Sequence, residues 1–276
     1  MCQLLNVSRS GYYQWLKRPE SKRYLRRKDL KSRIYEIYVR SRRLYGSPKI
    51  TQRLRREGIC VSQKTVSRMM REEGLKSRTV RKYKATTNSK HNDPVQDNVL
   101  NQTFVAQKPG QVWMSDSTYI PADEGWLYLA SLEDLYTRNI VGWHADSRMT
   151  RELVIQALEK AYWRQKPTGP VLHHSDRGSQ YASHEDQERL KFYGMQGRMS
   201  RKGNCYDNAC IESFHSISKR ELVYLEKFET REDAKKRIFE YIESWYNGER
   251  IHSSIEYMAP VEFERKYIQL NGDSAS

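Results

Sequence analysis

Three acidic residues occupy positions where they could serve phosphoryl-transfer chemistry. Asp116 lies inside a strand-like run, Asp176 ends a second such run, and Glu212 falls within a later helical segment. A charge inside a core strand is costly unless it is paired or binds a metal. Clustered carboxylates can hold two divalent cations about 3.5–4 Å apart, which activate a nucleophile for attack on phosphorus. The three residues are therefore candidate catalytic residues and candidate ligands of two Mg²⁺ ions.

The spacing of these acids does not identify them by itself. Asp176 and Glu212 are 36 positions apart, but four other Asp–Glu pairs in the chain share that interval. Asp134 is the strongest rival ligand, and its alternative role is that of a turn residue. His173 and His174 precede Asp176 without a Cys or a further His at ligand spacing, which argues against a zinc site.

Two residues share a helical face with Glu212. Asn208 lies four positions before it and Lys219 seven positions after it, so a helix would align all three. At 1.5 Å per residue, Lys219 would stand about 10 Å along the axis from Glu212. A cation there could hold a DNA phosphate beside the carboxylates, with Asn208 in a supporting position. The alternative is an ordinary surface lysine.

The charge of the chain is concentrated in its first third. The net charge is +15 over 276 residues, yet residues 1–90 alone carry 26 Lys/Arg against 6 Asp/Glu, and the remainder is slightly acidic. A polycationic segment predicts a polyanionic partner, and DNA or RNA is the one this pattern favours over a solvated basic surface or a membrane-facing helix.

Two short helices with cap signals lie within this basic region. Ser47 is predicted as the N-cap of the first and Gly58 as its stop, while Ser62 and Gly74 bound the second. Two capped helices around a tight turn, at about residues 47–75, indicate a helix-turn-helix. The second helix would expose four residues that could enter a major groove or contact only phosphates, namely Lys64, Ser67, Arg68 and Arg71. A shorter helix capped by Ser8 opens the chain.

The hydrophobic pattern changes after residue 109. Three strand-like runs joined by short breaks predict an antiparallel meander, and they are followed by helix, strand, helix, strand and a long helix over roughly 207–222. This order predicts an α/β fold: a ribonuclease-H-like core with a mixed five-stranded sheet flanked by helices, preceded by an all-α helix-turn-helix region.

Composition excludes several classes of protein. No run of 18 apolar residues occurs, so no membrane-spanning helix is expected. The four cysteines form no CxxC pair, which argues against a disulfide scaffold or a zinc ribbon, and the start of the chain lacks a secretory signal pattern. We therefore expect a protein of the reducing cytoplasm.

Several sequence blocks resemble a known family. VWMSDSTYI, LHHSDRGSQY and SRKGNCYDNACIESFHSISKREL are similar to the three catalytic blocks of DDE transposases of the bacterial insertion-sequence family three, OrfB-type subunit. RRLYGSPKITQRLRREG resembles the DNA-binding region of that family, and SWYNGERIHSSIEYMAPVEFE its C-terminal block. The resemblance covers almost the whole chain.

The resemblance implies a function and a site. Asp116, Asp176 and Glu212 would form the DDE triad with Lys219 as the basic residue of the third block, and Mn²⁺ could substitute for Mg²⁺. The activity implied is cleavage at element ends and transfer of the 3′-hydroxyl into target DNA. The implied partners are double-stranded DNA (terminal inverted repeats and target), an upstream OrfA-type helix-turn-helix subunit or fusion, and further copies of the chain on DNA in the bacterial cytoplasm.

The domain boundaries that follow are predictions. We expect a basic helical DNA-binding region at 1–84, a linker at 85–108, the DDE integrase core at 109–225, a C-terminal helical extension at 226–270 and a disordered tail at 271–276.

Some residues depart from the family pattern. Ser117 follows the first acid where Ile or Val is common, Glu133 occupies a usually apolar strand position, His215 replaces an aromatic residue and Ser218 a leucine. These departures motivate an alternative, a DNA-binding regulator with a catalytically decayed core. A ribonuclease-H-type nuclease that cuts without joining ends is a third possibility.

Overall fold

The computed structural model describes residues 7–79, 106–175, 184–199 and 208–272. Asp176 and most of the predicted linker and tail lie outside these described residues. The chain divides into two compact units, Met1–Ser77 and Arg78–Ser276. We describe each unit by itself.

The first unit is helical. Its helices are α1 (Arg9–Leu16), α2 (Lys22–Arg40), α3 (Ser47–Arg56) and α4 (Gln63–Glu72). Apolar residues at helical spacing in α2, α3 and α4 are buried; they are Leu30, Ile34, Ile37, Tyr38, Ile50, Leu54, Val66, Met69 and Met70. None of the α1 residues is buried.

The helix caps agree with the sequence at all but one position. The hydroxyl of Ser62 accepts a hydrogen bond from the backbone N–H of Thr65, and Ser8 caps α1 in the same way. The prediction of Ser47 as an N-cap is wrong. The N-cap of α3 is Gly46, whose extended backbone (φ −92°, ψ −179°) precedes the helix and whose carbonyl accepts from the N–H of Ile50. Ser47 is already helical, so its side chain cannot occupy the capping position.

The second unit is built on one mixed sheet of five strands. These are β1 (Val112–Ala122), β2 (Gly125–Asp134), β3 (Ile140–Asp146), β4 (Leu172–Ser175) and β5 (Gln196–Met199), in the spatial order β3-β2-β1-β4-β5. The first three strands pair antiparallel, while β4 pairs parallel with both β1 and β5. This arrangement confirms the predicted meander and the crossover that returns β4 beside β1.

Helices cover both faces of the sheet. The helix α5 (Arg151–Gln165) packs its apolar residues on the face of the sheet that carries Trp113 and Leu132. Leu190 of α6 (His184–Phe192) joins the same hydrophobic cluster. The helix α7 (Ala209–Ser218) lies on β1 and β2, where residues of the opposite parity such as Ser131 point. A mixed sheet between two helical layers, in this order of elements, is the ribonuclease-H-like architecture that the sequence predicted.

The long helix predicted over 207–222 changes from α-helical to π-helical before it ends. It begins at Ala209 and ends as an α-helix at Ser218, and a π-helical turn follows over Lys219–Val223. Glu221 in this turn forms a buried ion pair with Arg250, at 2.9 Å between Oε1 and Nη2. The spacing of apolar residues could not reveal this change, because the partner of Glu221 lies 29 positions away.

The remaining chain packs against β3 and α5. It contains α8 (Arg231–Phe239), a π-helical segment (Glu240–Tyr246), a short 3₁₀ helix (Ser253–Ile255) and α9 (Pro260–Gly272). Glu243 accepts hydrogen bonds from Trp143 of β3 and Arg164 of α5. Asn247 pairs its side-chain amide with the backbone of Ile140 in both directions. None of the described helices is long and apolar enough to cross a membrane.

Gly142 permits the close packing of α5 on β3. A Cβ atom at this residue would lie 2.5 Å from the carbonyl oxygen of Ala157 and 2.5 Å from Cβ of Ala161. We expect Gly142→Ala to lower the free energy of unfolding by about 1–3 kcal/mol, because the helix must move away from the sheet. Gly169→Ala is the matched control, since nothing lies within 4 Å of a Cβ there. Urea unfolding measures both, and equal stabilities of the two variants would contradict this packing argument.

Glu133 makes the stability of the fold depend on pH. Burial raises the pKa of its carboxyl to about 7, against the opposing charge of Arg138, whose Nη1 lies 3.7 Å from Oε1. The pKa of Glu133 is higher in the folded state than in the unfolded state. Its contribution to the free energy of unfolding is therefore fully present below the unfolded pKa and is lost as the pH rises through about 7.

The neutral variant Glu133→Gln should lack this loss. Between pH 5 and pH 8 the wild type should become less stable relative to Glu133→Gln by roughly 3 kcal/mol, an order-of-magnitude figure from the shift in pKa. Both proteins contain the same other titrating groups, so the contributions of those groups cancel in the difference between the two unfolding free energies. A difference in unfolding free energy that stays constant over this pH range would show that the pKa of Glu133 is not raised.

Candidate functional site

Asp116 lies on β1 at the edge of the interface with α7. Its side chain is 18% exposed, so the carboxylate is reached by solvent while its surroundings are largely protein. One carboxylate oxygen, Oδ1, accepts a hydrogen bond of 2.7 Å from the backbone N–H of Ser117. In the sheet register Asp116 stands opposite Ser131 of β2, so both side chains point toward the face that α7 covers.

His215 connects Asp116 to the neighbouring strand. Its Nδ1 lies 3.2 Å from Oδ2 of Asp116, and its Nε2 lies 2.7 Å from the hydroxyl of Ser131. The imidazole is buried in α7. Sequence reasoning noted His215 only as a departure from the family pattern. Its distance of three residues from Glu212, one helical turn, was the signal that could have placed it beside the acids.

Glu212 lies in the first turn of α7 and is exposed. Its neighbour Ile211 is buried, as is His215 one turn later, so Glu212 stands at the margin of the helix face that contacts the sheet. Glu212 lies one helical turn before His215, the residue of α7 that contacts Asp116 directly. The fold thus brings these two acids to one side of the sheet.

Asn208 precedes α7 as its N-cap residue. It is buried and makes no capping hydrogen bond with its side chain. Within the described part of the chain, its Oδ1 has no hydrogen-bond partner. Asn208 and Glu212 were predicted to share one helical face. In the structure the amide of Asn208 is buried, and the carboxylate of Glu212, one turn later, is exposed.

Lys219 is the first residue of the π-helical turn, and its side chain contacts Tyr119 of β1. Its Nζ lies 4.6 Å from the centroid of the Tyr119 ring. Burial lowers the pKa of Lys219, and the negative charge of Asp116 opposes that change. Tyr119 in turn meets Trp126 edge to face on the β1–β2 hairpin, and both rings are about half exposed.

The third predicted acid follows β4. Ser115 of β1 pairs in register with Ser175 of β4, and Asp116 and Asp176 are the next residues of their respective chain segments. Asp176 itself lies outside the described residues. Among those that are described, no group of three or more His, Cys, Asp and Glu side chains is arranged to hold a metal ion.

The rival ligands have other roles. Asp134 is buried and accepts hydrogen bonds from the backbone N–H groups of Gly110, Tyr136 and Thr137, which confirms the alternative of a turn residue. His173 is buried in β4, and burial lowers its pKa to about 4, so it is neutral near pH 7.

A basic face runs along α4 in the first unit. Lys64, Arg68 and Arg71 are exposed and Ser67 is half-buried, and the four residues line one surface depression. The acids at the end of the helix pair with α2 instead: Arg27 donates to Glu72 at 2.7 Å and Lys31 to Glu73 at 2.6 Å. In the described part of the first unit, no carboxylate forms an ion pair with the basic face. It therefore presents uncompensated positive charge.

Family models match both units. A model described as an HTH-like domain matches residues 25–83, and models described as an integrase core domain match residues 106–205 and 212–268.

Two curated relatives match nearly the whole chain. The insertion element IS600 uncharacterized 31 kDa protein of Shigella sonnei is 43% identical over 270 residues, which is 98% of this chain and 99% of that protein. The transposase InsF for insertion sequence IS3A of Escherichia coli (strain K12) is 42% identical over 268 residues, covering 96% of this chain and 93% of that protein. The HTLV-2 integrase catalytic core domain is 15% identical with a TM-score of 0.43, covering 57% of this chain and 98% of that one. Because the identity to the two curated relatives extends over almost the full length of each, this chain belongs to the IS3 family of insertion-sequence transposases, enzymes of DNA transposition with an HTH-like domain ahead of an integrase core.

Proposed function

We propose that Asp116, Asp176 and Glu212 form the active site at which this transposase cleaves the ends of an insertion sequence and joins them to target DNA. The observation that carries the proposal is the contact between His215 and Asp116. This contact supports the proposal because His215 follows Glu212 by one helical turn, and in the sequence Asp176 directly follows β4, the strand that pairs with β1.

The donor atoms suit a divalent cation. Carboxylate oxygens are the ligands that Mg²⁺ prefers, and Asp116 and Glu212 both reach solvent. Asp116, Asp176 and Glu212 would hold two Mg²⁺ ions, for which Mn²⁺ can substitute. Bound there, the metals would polarise the phosphate and lower the pKa of the attacking hydroxyl or water.

The chemistry proceeds in two displacements at phosphorus. In the first, a water oxygen bonds to phosphorus and the bond from phosphorus to the 3′-oxygen of the element end breaks, which leaves a free 3′-hydroxyl. In the second, that 3′-oxygen bonds to a phosphorus of the target strand, and the target 3′-oxygen leaves and takes up a proton. Each step exchanges one phosphorus–oxygen bond for another, so the enzyme forms no covalent bond to DNA.

Lys219 and the basic face of α4 would bind the DNA. The ammonium of Lys219 lies over the ring of Tyr119, where it would hold a phosphate of the bound DNA. Lys64, Ser67, Arg68 and Arg71 would contact the terminal inverted repeat, with Asn208 supporting the turn of Glu212.

The assembly is part of the proposal. Pairing two element ends requires at least two copies of the chain on DNA, and we propose a homo-oligomer that also engages an upstream OrfA-type helix-turn-helix subunit, either as a separate protein or as a fusion. The partner nucleic acid is double-stranded DNA, and the site of action is the bacterial cytoplasm.

The role of Glu212 is tested by strand transfer of a pre-cut element end into plasmid DNA with Mn²⁺. We expect Glu212→Gln to abolish the joined product while leaving binding of the end intact, because glutamine keeps the size of the side chain and removes the anionic ligand. Asp116→Asn and Asp176→Asn should behave alike. Glu232→Gln, an exposed glutamate of α8, is the matched control and should retain activity.

Two outcomes would count against this assignment. Joined product from Glu212→Gln at the wild-type level would remove Glu212 from the site. No product from the wild type, even with the upstream subunit added but with end binding retained, would favour the DNA-binding regulator with a decayed core.

The role of α4 is tested by substitutions of Arg68. We expect Arg68→Ala to weaken binding of the element end and to reduce the dependence of binding on salt by about one released counterion. Arg68→Lys keeps the charge but loses the planar two-point contact that a guanine edge requires, so it should lose specificity if Arg68 reads bases. Lys28→Ala, which removes one exposed charge from α2, is the control.

Filter binding to the element end and to a scrambled duplex separates the two modes of contact. Equal losses on both duplexes for Arg68→Ala, with full specificity in Arg68→Lys, would mean that α4 contacts only phosphates. Affinities of Arg68→Ala equal to those of Lys28→Ala would show that α4 is not the DNA-binding face.

A further inference from the structure

We propose that His215 is a positioning residue of the active site, which orients the carboxylate of Asp116 for metal binding and joins the helix of Glu212 to β1. The inference rests on the proposed function, because it assumes that Asp116 is a ligand. It concerns a residue of this chain that departs from the aromatic residue of the family pattern.

Two donors from the protein surround the carboxylate of Asp116. One oxygen accepts the N–H of Ser117 at 2.7 Å, and the other lies 3.2 Å from Nδ1 of His215. A carboxylate offers about four acceptor positions, so two protein donors occupy about half of them. The remaining positions are available to metal ions, and the two donors limit rotation of the carboxylate.

The tautomer of His215 depends on its contact with Ser131. Nε2 lies 2.7 Å from the hydroxyl of Ser131, and that hydroxyl can donate to it. The proton of a neutral imidazole is then on Nδ1, the atom that faces Asp116. Ser131 thus has the role of selecting the tautomer in which His215 donates to the carboxylate.

His215 also restrains the position of α7. His215 lies one helical turn after Glu212, is buried, and contacts residues of both β1 and β2. Any sliding or rotation of α7 would break both contacts of the imidazole. The same side chain therefore orients one acid and restrains the position of another. Phenylalanine at this position would fill the space but hold neither contact.

Hydrogen bonds to ligating groups contribute to metal affinity. Losing such a partner commonly lowers affinity by about 10–100-fold. We expect His215→Phe to weaken Mn²⁺ binding by that order. His215→Asn should recover much of the affinity, since its amide N–H can take the place of Nδ1. Ser131→Ala should weaken binding by a smaller factor, because Asp116 keeps its imidazole but the tautomer is no longer selected.

The measurement is Mn²⁺ titration of the full chain bound to a pre-cut element end, followed by electron paramagnetic resonance of the free ion. The matched control is Ser218→Ala, a buried hydroxyl one turn further along α7 that donates only to the backbone carbonyl of His215. Strand transfer across a range of Mn²⁺ concentrations gives a second readout. In His215→Phe the half-saturating metal concentration should rise while the rate at saturating metal is largely retained.

The outcomes separate this inference from the proposed function. If the wild type binds no Mn²⁺, the proposed metal site is wrong and this inference falls with it. If the wild type binds Mn²⁺ and His215→Phe binds it equally well, only the positioning role is overturned. A rate lost in His215→Phe that no concentration of Mn²⁺ restores would likewise overturn it. If His215→Phe does not fold, Ser131→Ala carries the test, and affinity equal to that of Ser218→Ala would be the contrary result.

Discussion

The packing of α7 against β1 and β2 is the contact on which the candidate site depends. Glu212 is on the helix and Asp116 is on the strand, and neither element alone could bring them together. The helix buries the apolar side chains of Ile211 and Phe214, and the imidazole of His215 makes polar contacts with both strands. Apolar burial supplies most of the driving force for such packing but has little directional preference. The polar contact adds the direction, because it is satisfied at only one register of the helix on the sheet.

The two faces of the sheet serve different purposes. The face toward α5 is apolar and closely packed, with Gly142 allowing the helix backbone to approach the strand. The face toward α7 contains Ser131, Asp116 and Glu133, polar residues that a purely structural interface would avoid. A rigid layer on one side thus supports a polar and partly solvated layer on the other. This difference between the two faces suits a site that must hold charged groups in fixed positions.

Buried acidic residues recur in the second unit, and each has a polar or charged partner, although the partner of Glu133 offsets its burial only in part. Glu133 is opposed by Arg138, Asp134 by three backbone N–H groups, and Glu221 by Arg250. Glu221 lies in the π-helical turn that also carries Lys219, and its partner Arg250 lies in the C-terminal part of the chain. Removing one partner of such a pair leaves an uncompensated buried charge, so the turn and the direction of Lys219 depend on a residue in the C-terminal part of the chain.

The amino-acid sequence by itself determined the local features and the order of elements. Cap signals located three helices of the first unit, and the hydrophobic pattern located the strands of the sheet. The cap at Ser62 was evident because capping involves residues only three positions apart. The connection lengths predicted the meander and the crossover. The family blocks pointed to Asp116, Asp176 and Glu212, whose roles stay predictions, as do the domain boundaries.

Only the tertiary structure decided which side chains meet. His215 reaches Ser131 across 84 positions of the chain, Glu221 reaches Arg250 across 29, and Lys219 stands over Tyr119 on another element. Nor did the sequence reveal that Glu133 is buried or that α7 gives way to a π-helical turn. Such features depend on the packing of elements distant in sequence. Periodicity and spacing report only how one segment presents its own residues, and therefore cannot specify the partners that another segment brings to it.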